Sequence, residues 1–360
     1  MANQFALRYV KLVPEQTSSA ATLTDANQIY GTASDMTDYD AVAGQPDYIG
    51  GEVDDESITH QFEVLYRSDM SRFGQAKSQQ GKEYSEGGIN FAMQADMFMG
   101  CHWYGVYGGT GSSVPAVSSG THTFTEGNTH RLPSFTMKVG RDEKEHTYTG
   151  MCINRLGISA SLNEYIMVSA DYVGKAESAV GAIDNATVFC GRAVDGMHFA
   201  DAQVKFNNDS TASTLVKSIT CDWNMNLDTD MACTLGNTTY VRKPMNGLRE
   251  ITGSVEFAKV VHTAVESEPT YTQMITEGGL EVNNSGATDP ALGITLTDGT
   301  SPTYIELYKV RWEAPSANVS GRDSQTMSLN FTALYGVNQS AMSKVIFNDT
   351  GSAAIPFGGL

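Results

Sequence analysis

The sequence predicts a mainly β protein: two tandem β-sandwich or barrel domains, each with a short helix, between extended terminal arms. Three observations carry that expectation. Most windows alternate apolar and polar residues with the period of a half-buried strand. Helical periods are scarce. The pattern of the first half returns in the second, which points to an internal repeat.

Residues 1–51 show no sustained period of 2 or 3.6 and are expected to form an N-terminal arm. The first domain is assigned to 52–175. Its opening strand places Ile58, His60, Phe62, Val64 and Tyr66 on one face, and Thr59, Gln61 and Glu63 on the other. Ala92 to Tyr104 is a weak helix candidate, followed by a Gly/Ser-rich loop over 108–120. Phe135, Met137 and Val139 mark another strand, and Ile166, Val168, Ala170 and Tyr172 a closing one. Arg141-Asp-Glu-Lys-Glu between them reads as a charged hairpin tip.

A linker is assigned to 176–210 and the second domain to 211–337. Here Val255 and Phe257 alternate, Leu329, Phe331, Ala333 and Tyr335 form the closing strand, and a helix is expected from about Pro269, with Tyr271, Met274 and Ile275 on one face and Gly278-Gly279 ending it. Residues 338–360 form a polar, Gly-rich C-terminal arm whose Ala353-Ala-Ile-Pro-Phe segment suits docking on a neighbour.

The repeat rests on four matches in the same order. Ser57-Ile58-Thr59 corresponds to Ser218-Ile219-Thr220, and Gly87, Ile89 and Phe91 to Gly253, Val255 and Phe257. Pro133-Ser-Phe corresponds to Pro302-Thr-Tyr, and the closing strand at Ile166–Tyr172 to Leu329–Tyr335.

Composition excludes several functions. With 23 Lys and Arg against 41 Asp and Glu, the formal charge is −18, which disfavours a surface that grips phosphate backbones or anionic lipid. Nucleic acid as a repelled passenger stays compatible. The five cysteines, Cys101, Cys152, Cys190, Cys221 and Cys233, are too widely spaced for a clustered zinc site and odd in number for a disulfide framework, so buried thiols are expected. Met1–Gln16 lacks a long apolar core and a small-residue cleavage site, and no stretch approaches a membrane span, so neither a secretory signal nor a membrane partner is expected. Without secretion, Asn-x-Ser/Thr triplets such as the one at Asn185 are only turn and strand chemistry.

No catalytic pattern stands out. There is no Gly-x-Gly-x-x-Gly opening a helix, no Walker-type loop and no nucleophile elbow. The seven histidines form no metal-ligand spacing, and the Cys101-His102 pair beside Trp103 suits a packed position better than a metal. Asp54-Asp55-Glu56 lacks the spaced ligands of a calcium loop and reads as the solvated start of a strand. No enzyme activity, cofactor or metal is expected.

The stretches His122-Thr-Phe-Thr, Leu132-Pro-Ser-Phe-Thr-Met, His146-Thr-Tyr-Thr-Gly-Met-Cys-Ile-Asn-Arg-Leu-Gly-Ile-Ser-Ala-Ser-Leu-Asn-Glu-Tyr and Val168-Ser-Ala-Asp-Tyr-Val-Gly-Lys resemble the tail tube proteins of long-tailed double-stranded DNA viruses. Arg249-Glu-Ile-Thr-Gly-Ser-Val-Glu-Phe, followed by the helix candidate, extends the resemblance over about residues 50 to 340. It implies a virion structural protein, made in the host cytoplasm, whose rings stack into a hollow conduit for DNA ejection. The partners it implies are further copies of the chain, tape measure and tail terminator or tip proteins, and double-stranded DNA as a non-specific passenger. A fused pair of tube domains is similar to members that form homotrimeric rings with pseudo-sixfold symmetry.

If each repeat gives four strands to a common inner sheet, three chains close about 24 strands around an open bore. The polar faces of the proposed inner strands then give the expected lining: Thr59, Gln61, Glu63, Asn90, Asp171, Asp222, Asn224, Glu256 and Asn330, with no Lys or Arg among them. The segments 67–86 and 228–249 resemble loops that lie on the adjacent ring. They carry Arg72, Lys77 and Lys82 in one copy and Arg242, Lys243 and Arg249 in the other, a local excess of cations suited to orienting rings. Polar lining suits any solvent-facing strand equally, and loop charge any exposed loop. A carbohydrate-binding, adhesin or virion decoration module is the other reading, with Trp103, Trp223 and Trp312 as candidate sugar platforms.

Overall fold

The computed structural model describes residues 9–16, 32–33, 48–68, 70–71, 74–108, 121–126, 132–183, 196–207, 209–277, 279–283, 290–297, 299, 302–315, 325–336 and 340–348. Strands dominate. The first stretch supplies β1 (Tyr9–Gln16), β2 (Thr32–Ala33), β3 (Ile49–Gly51) and β4 (Asp55–Glu56). A long hairpin of β5 (Thr59–Ser68) and β6 (Gln75–Ala92) precedes helix α1 (Met97–Tyr107). Then come β7 (Thr121–Thr125), β8 (Phe135–Arg141), β9 (Lys144–Ser161), β10 (Met167–Gly174) and β11 (Glu177–Ala182). The second half contains β12 (Ala202–Phe206), β13 (Val216–Asn224), β14 (Leu227–Asp228), β15 (Met245–Asn246), β16 (Glu250–Phe257) and helix α2 (Tyr271–Glu277). It closes with β17 (Leu280–Asn283), β18 (Leu292–Leu296), β19 (Thr303–Leu307), β20 (Lys309–Trp312), β21 (Met327–Leu334) and β22 (Ser343–Asn348).

A central antiparallel sheet runs through both halves. Asp55 pairs with Asn90 and Thr59 with Glu86, so β4 and β5 form one edge strand interrupted at Ser57-Ile58. From that edge the order is β6, β10, β9, β13, β16, β21, β20 and β17. Within it, one arrangement occurs twice. In the first half the sequence-first, second, fourth and third strands lie side by side as β5, β6, β10 and β9; in the second half they are β13, β16, β21 and β20. The seam is the β9·β13 pair, in which Leu156 faces Trp223 and Ile158 faces Cys221.

Strand pairing corrects three of the four sequence matches and keeps that of Gly87, Ile89 and Phe91. Thr59 lies opposite Glu86 as Asp222 lies opposite Thr252, two residues beyond the expected Thr220, and Pro133-Ser-Phe opens the first strand of the β8–β9 hairpin whereas Pro302-Thr-Tyr opens the second of the β18–β19 hairpin. Gly87, Ile89 and Phe91 lie opposite Tyr172, Ala170 and Val168, whereas Gly253, Val255 and Phe257 lie opposite Phe331, Leu329 and Met327. Tyr172 therefore corresponds to Phe331, four residues before the Tyr335 expected from sequence. Apolar alternation is unchanged by an even slip, so the pattern alone could not fix this register.

One face of the sheet builds the core. Ile219, Cys221 and Trp223, then Val168, Ala170 and Tyr172, then Leu329 and Phe331 are all buried and belong to one continuous cluster shared by the halves. Helix α1 lies inside that cluster, with Phe98, Met99, Cys101, Trp103, Tyr104, Val106 and Tyr107 buried. Burial on all sides removes the amphipathic stripe, which explains its weak sequence signal. Asp96 Oδ1 caps its start by accepting from Met99 N at 2.9 Å, and Gly108, with φ 72°, ends it. The helix expected near Pro269 is α2, whose Met274 is buried.

The terminal and linking segments are woven into the outer layer. β1 pairs with β8 and β3, and Lys11 and Glu15 on it are buried. Glu145 receives Lys11 Nζ at 3.1 Å, Lys138 Nζ at 2.9 Å and the Tyr9 hydroxyl. Burial would raise the Glu145 carboxyl, but Tyr9, Lys138 and Lys11 outweigh it and hold it below its ordinary range. Glu15 accepts from Ser134 Oγ at 2.6 Å, Thr136 Oγ1 at 2.9 Å and Gly150 N at 2.7 Å. The segment read as an N-terminal arm thus contains a core strand. Of the segment read as a linker, β11 pairs with β9 and β12 with β18. In the segment read as a C-terminal arm, β22 pairs with β19 and with β7 of the first half. Ala353–Phe357 and most of the 108–120 loop lie outside the described residues.

Candidate functional site

The central sheet has a second, polar face, and its lining follows from strand parity. Along β13, Thr220, Asp222 and Asn224 alternate with the buried residues, as do Thr252, Ser254 and Glu256 on β16 and Ser328, Asn330 and Thr332 on β21. Across the strands, Asn90 faces Ser169, Ser169 faces Gly157, Gly157 faces Asp222, and Asp222 faces Thr252. The pairing brings Asn90, Asp171, Asp222, Asn224, Glu256 and Asn330 onto this one face.

Thr59 sits beside Glu86 where the edge strand leaves the sheet, while Gln61 and Glu63 lie farther out on the β5–β6 hairpin. The opening strand was expected to set Phe62, Val64 and Tyr66 on the covered face with Ile58 and to be followed by a loop over 67–86, but β6 begins at Gln75 and the two strands form a hairpin. Phe62 is instead 64% exposed and Tyr66 61%, because the strand runs past the layer that covers Ile58.

The face also holds cations, although the expected lining had none. Arg155 shares it, its Nη2 donating to Asp222 Oδ1 at 2.6 Å and its Nη1 lying 3.5 Å from Asp171 Oδ2. Lys217 lies 3.3 Å from Glu256, and Lys309 2.7 Å from Glu281. Arg311 faces Thr332 and Glu281 in the pairing. The parity of Arg155 with Gly157 and Ser159 was the available signal; β20, at four residues, is too short to show alternation.

The hairpin and the 228–249 segment lie at the same end of the sheet and touch. Glu83 N donates to Thr238 O at 2.8 Å, and Tyr84 stacks on Tyr240 with ring centroids 5.9 Å apart. Lys82 Nζ lies 5.4 Å from the Tyr84 ring centre and 5.1 Å from that of Tyr240. Lys77 and Arg242 are exposed. Arg72 lies outside the described residues. Lys243 is buried, and its charge opposes the burial that pushes the Cys152 thiol up to about 12. Arg249 is lowered by burial and supported by Glu126 and Tyr107. Lys243 and Arg249 thus point their charge inward, and the exposed groups at this end include Leu65, Met70, Leu235 and Leu248.

His102 is fully satisfied inside α1. A carbonyl can only accept, so Nδ1 donates to Phe98 O at 2.7 Å and Nε2 accepts from the Tyr172 hydroxyl at 2.7 Å. Burial lowers its pKa to about 4. Glu56 of the acidic run is engaged by Arg141, which donates from Nε at 2.8 Å and Nη2 at 2.7 Å. Trp103, Trp223 and Trp312 are all buried, so none offers a face for sugar stacking. Among the described residues no helix is long and apolar enough to cross a membrane.

No curated protein matches the chain. A family model described as phage tail tube protein matches residues 13–333, a span that includes both sets of inner strands and the seam between them. The chain belongs to the phage tail tube protein family and is a structural component of the bacteriophage virion tail.

Proposed function

We propose that three copies of the chain close into a ring, that rings stack into a tube, and that the polar face of the central sheet lines the conduit through which double-stranded DNA leaves. The observation that carries this reading is the β9·β13 seam. It joins the last inner strand of one repeat to the first of the next, so the chain contains one example of the contact that closure needs between copies. The open edge strand β5 is the counterpart of β13; on the opposite side β17 already pairs with Lys309–Trp312 of β20, so the neighbour's β5 would continue the sheet from Glu313 onward.

The stagger of the seam supports closure quantitatively. Stepping across the pairs from Ile89 leads to Ala170, Leu156, Trp223 and Ile251, yet the repeat equivalent of Ile89 is Val255, four residues farther along. Four strands per repeat and a four-residue stagger give six repeats about 24 strands and a shear of about 24, hence a strand tilt of about 35°. At a strand spacing of about 4.8 Å the barrel is about 45 Å across, and side chains reaching about 5 Å inward leave a bore of about 35 Å. A duplex whose grooves are each about 8 Å deep is about 20 Å across, so it passes. Two chains would give about 16 strands and a bore of about 20 Å, without clearance. Closure also covers the open edge of β5.

Stacking in this reading uses the end that carries the hairpin and the 228–249 segment, through exposed Phe62, Leu65, Tyr66 and Met70 with Lys77 and Arg242 at the rim. Tape measure and tail terminator or tip proteins are the further partners. Negative-stain microscopy of the purified chain with mass measurement of its smallest closed assembly tests the reading: threefold rings and tubes are expected, and a chain that stays monomeric under all assembly conditions contradicts it.

A further inference from the structure

The polar face is not free of cations, but the most central of them is held in a built arrangement. Asp171 lies directly opposite Gly88 and Asp222 directly opposite Gly157, and both carboxylates also flank Arg155. A Cβ at Gly88 would come within 2.6 Å of Asp171 Oδ1, and one at Gly157 within 2.6 Å of Asp222 Oδ1 and 2.8 Å of Ser169 Oγ. The two glycines thus leave room for the carboxylates to lie across the strands against the guanidinium.

We propose that Asp171 and Asp222 clamp Arg155 so that this central cation is withheld from passing phosphates, making these two carboxylates residues that keep the conduit from binding its cargo. The inference rests on the polar face being the inner wall. Its physics is counterion release: a cation already neutralised by protein carboxylates displaces no ions from DNA and adds no affinity. Lys217 against Glu256 and Lys309 against Glu281 repeat the device with one carboxylate each. The three residues of the clamp come from β9, β10 and β13, so it also ties the seam, and its test needs a readout that a merely structural tie would not move.

The test compares assembled tubes of the unaltered chain, of D171N/D222N and of R155A/D171N/D222N, each incubated with a labelled 20-base-pair duplex and sedimented at 50 and 200 mM salt. The unaltered tubes are expected to carry down no duplex. The double variant is expected to retain it, with affinity falling about 40-fold across that salt range if three arginines engage phosphates. The triple variant is expected to lose it again. Equal retention by the unaltered and double-variant tubes, or by the double and triple variants, overturns the clamp. If the double variant folds without assembling, titration of free chains decides, since the face is open there: a salt slope near 0.9 for the variant alone supports the clamp, and no slope overturns it. Failure of the unaltered chain to form rings or tubes overturns the assembly reading itself, and the clamp with it.

Discussion

In the first repeat the two leading inner strands, β5 and β6, are joined by a hairpin that runs on beyond the sheet; in the second, β13 and β16 are joined by a largely irregular segment that holds the short β14·β15 pair and a 3-10 turn at Asp230–Ala232. The helices differ as much. Helix α1 has eleven residues packed inside the core, while α2 has seven and buries Met274 alone. Yet both repeats keep the 1-2-4-3 order of inner strands. Both also set a glycine opposite an aromatic, Gly87 against Tyr172 and Gly253 against Phe331. What stays constant is the set of features that a continuous staggered sheet requires; what varies is the connections and the helices around it.

If the two repeats share one core, damage at the seam should unfold both. Trp223 packs edge-on to Trp103 at 5.2 Å and donates from Nε1 to the Tyr107 hydroxyl at 3.1 Å. Trp223→Ala should cost about 3–5 kcal/mol in denaturant unfolding. A single transition seen by probes in both repeats is expected; two separate transitions would break the comparison in favour of independent units.

A second difference between the repeats is the buried histidine of α1, and it predicts an acid response. The folded-state pKa of His102 is depressed by burial to about 4, against about 6.5 when unfolded. Above about pH 6.5 neither state holds the proton and its contribution is intact. Below that the unfolded chain binds the proton first, so stability falls by about 3 kcal/mol as pH drops toward 4. His102→Gln should flatten the pH dependence of stability in that window, measured by urea unfolding at several pH values. An unchanged slope would remove His102 as its source.

The glycines sharpen the comparison further. A Cβ at Gly253 would lie 2.1 Å from Thr220 O and 2.5 Å from the Phe331 ring, so Gly253→Ala should cost about 1–3 kcal/mol by thermal or chemical unfolding. A Cβ at Gly181 on β11 would meet nothing within 4 Å among the described residues, and Gly181→Ala should stay within about 0.5 kcal/mol.

How much of this was legible in sequence depended on burial. Strands covered on one face, such as β10, β13 and β21, announced themselves by alternation. Strand β1 did not, because Val10, Lys11, Leu12 and Val13 are all buried and no period survives. The polar lining of the central strands could be read from parity, and parity also set Arg155 with Gly157 and Ser159, but that β9 belongs among the inner strands follows only from its pairing with both β10 and β13. The hairpin misled for the opposite reason: Phe62, Val64 and Tyr66 alternate as a core face does, yet all three are exposed and Phe62 and Tyr66 mostly so.

That exposed face gives the smallest effect on stability. Phe62→Ser together with Tyr66→Ser should change unfolding free energy by no more than about 0.5 kcal/mol, while sedimentation should show loss of ring stacking. A large stability loss would mean that the hairpin folds back on its own chain.

The stagger of the seam is tested most directly by electron cryomicroscopy of the assembled particle. Three chains per ring are expected, with β5 of one chain following the second repeat of its neighbour in a closed barrel of about 24 strands tilted by about 35°. Six chains per ring, an open sheet, or a bore lined by the core-facing side of these strands would contradict it.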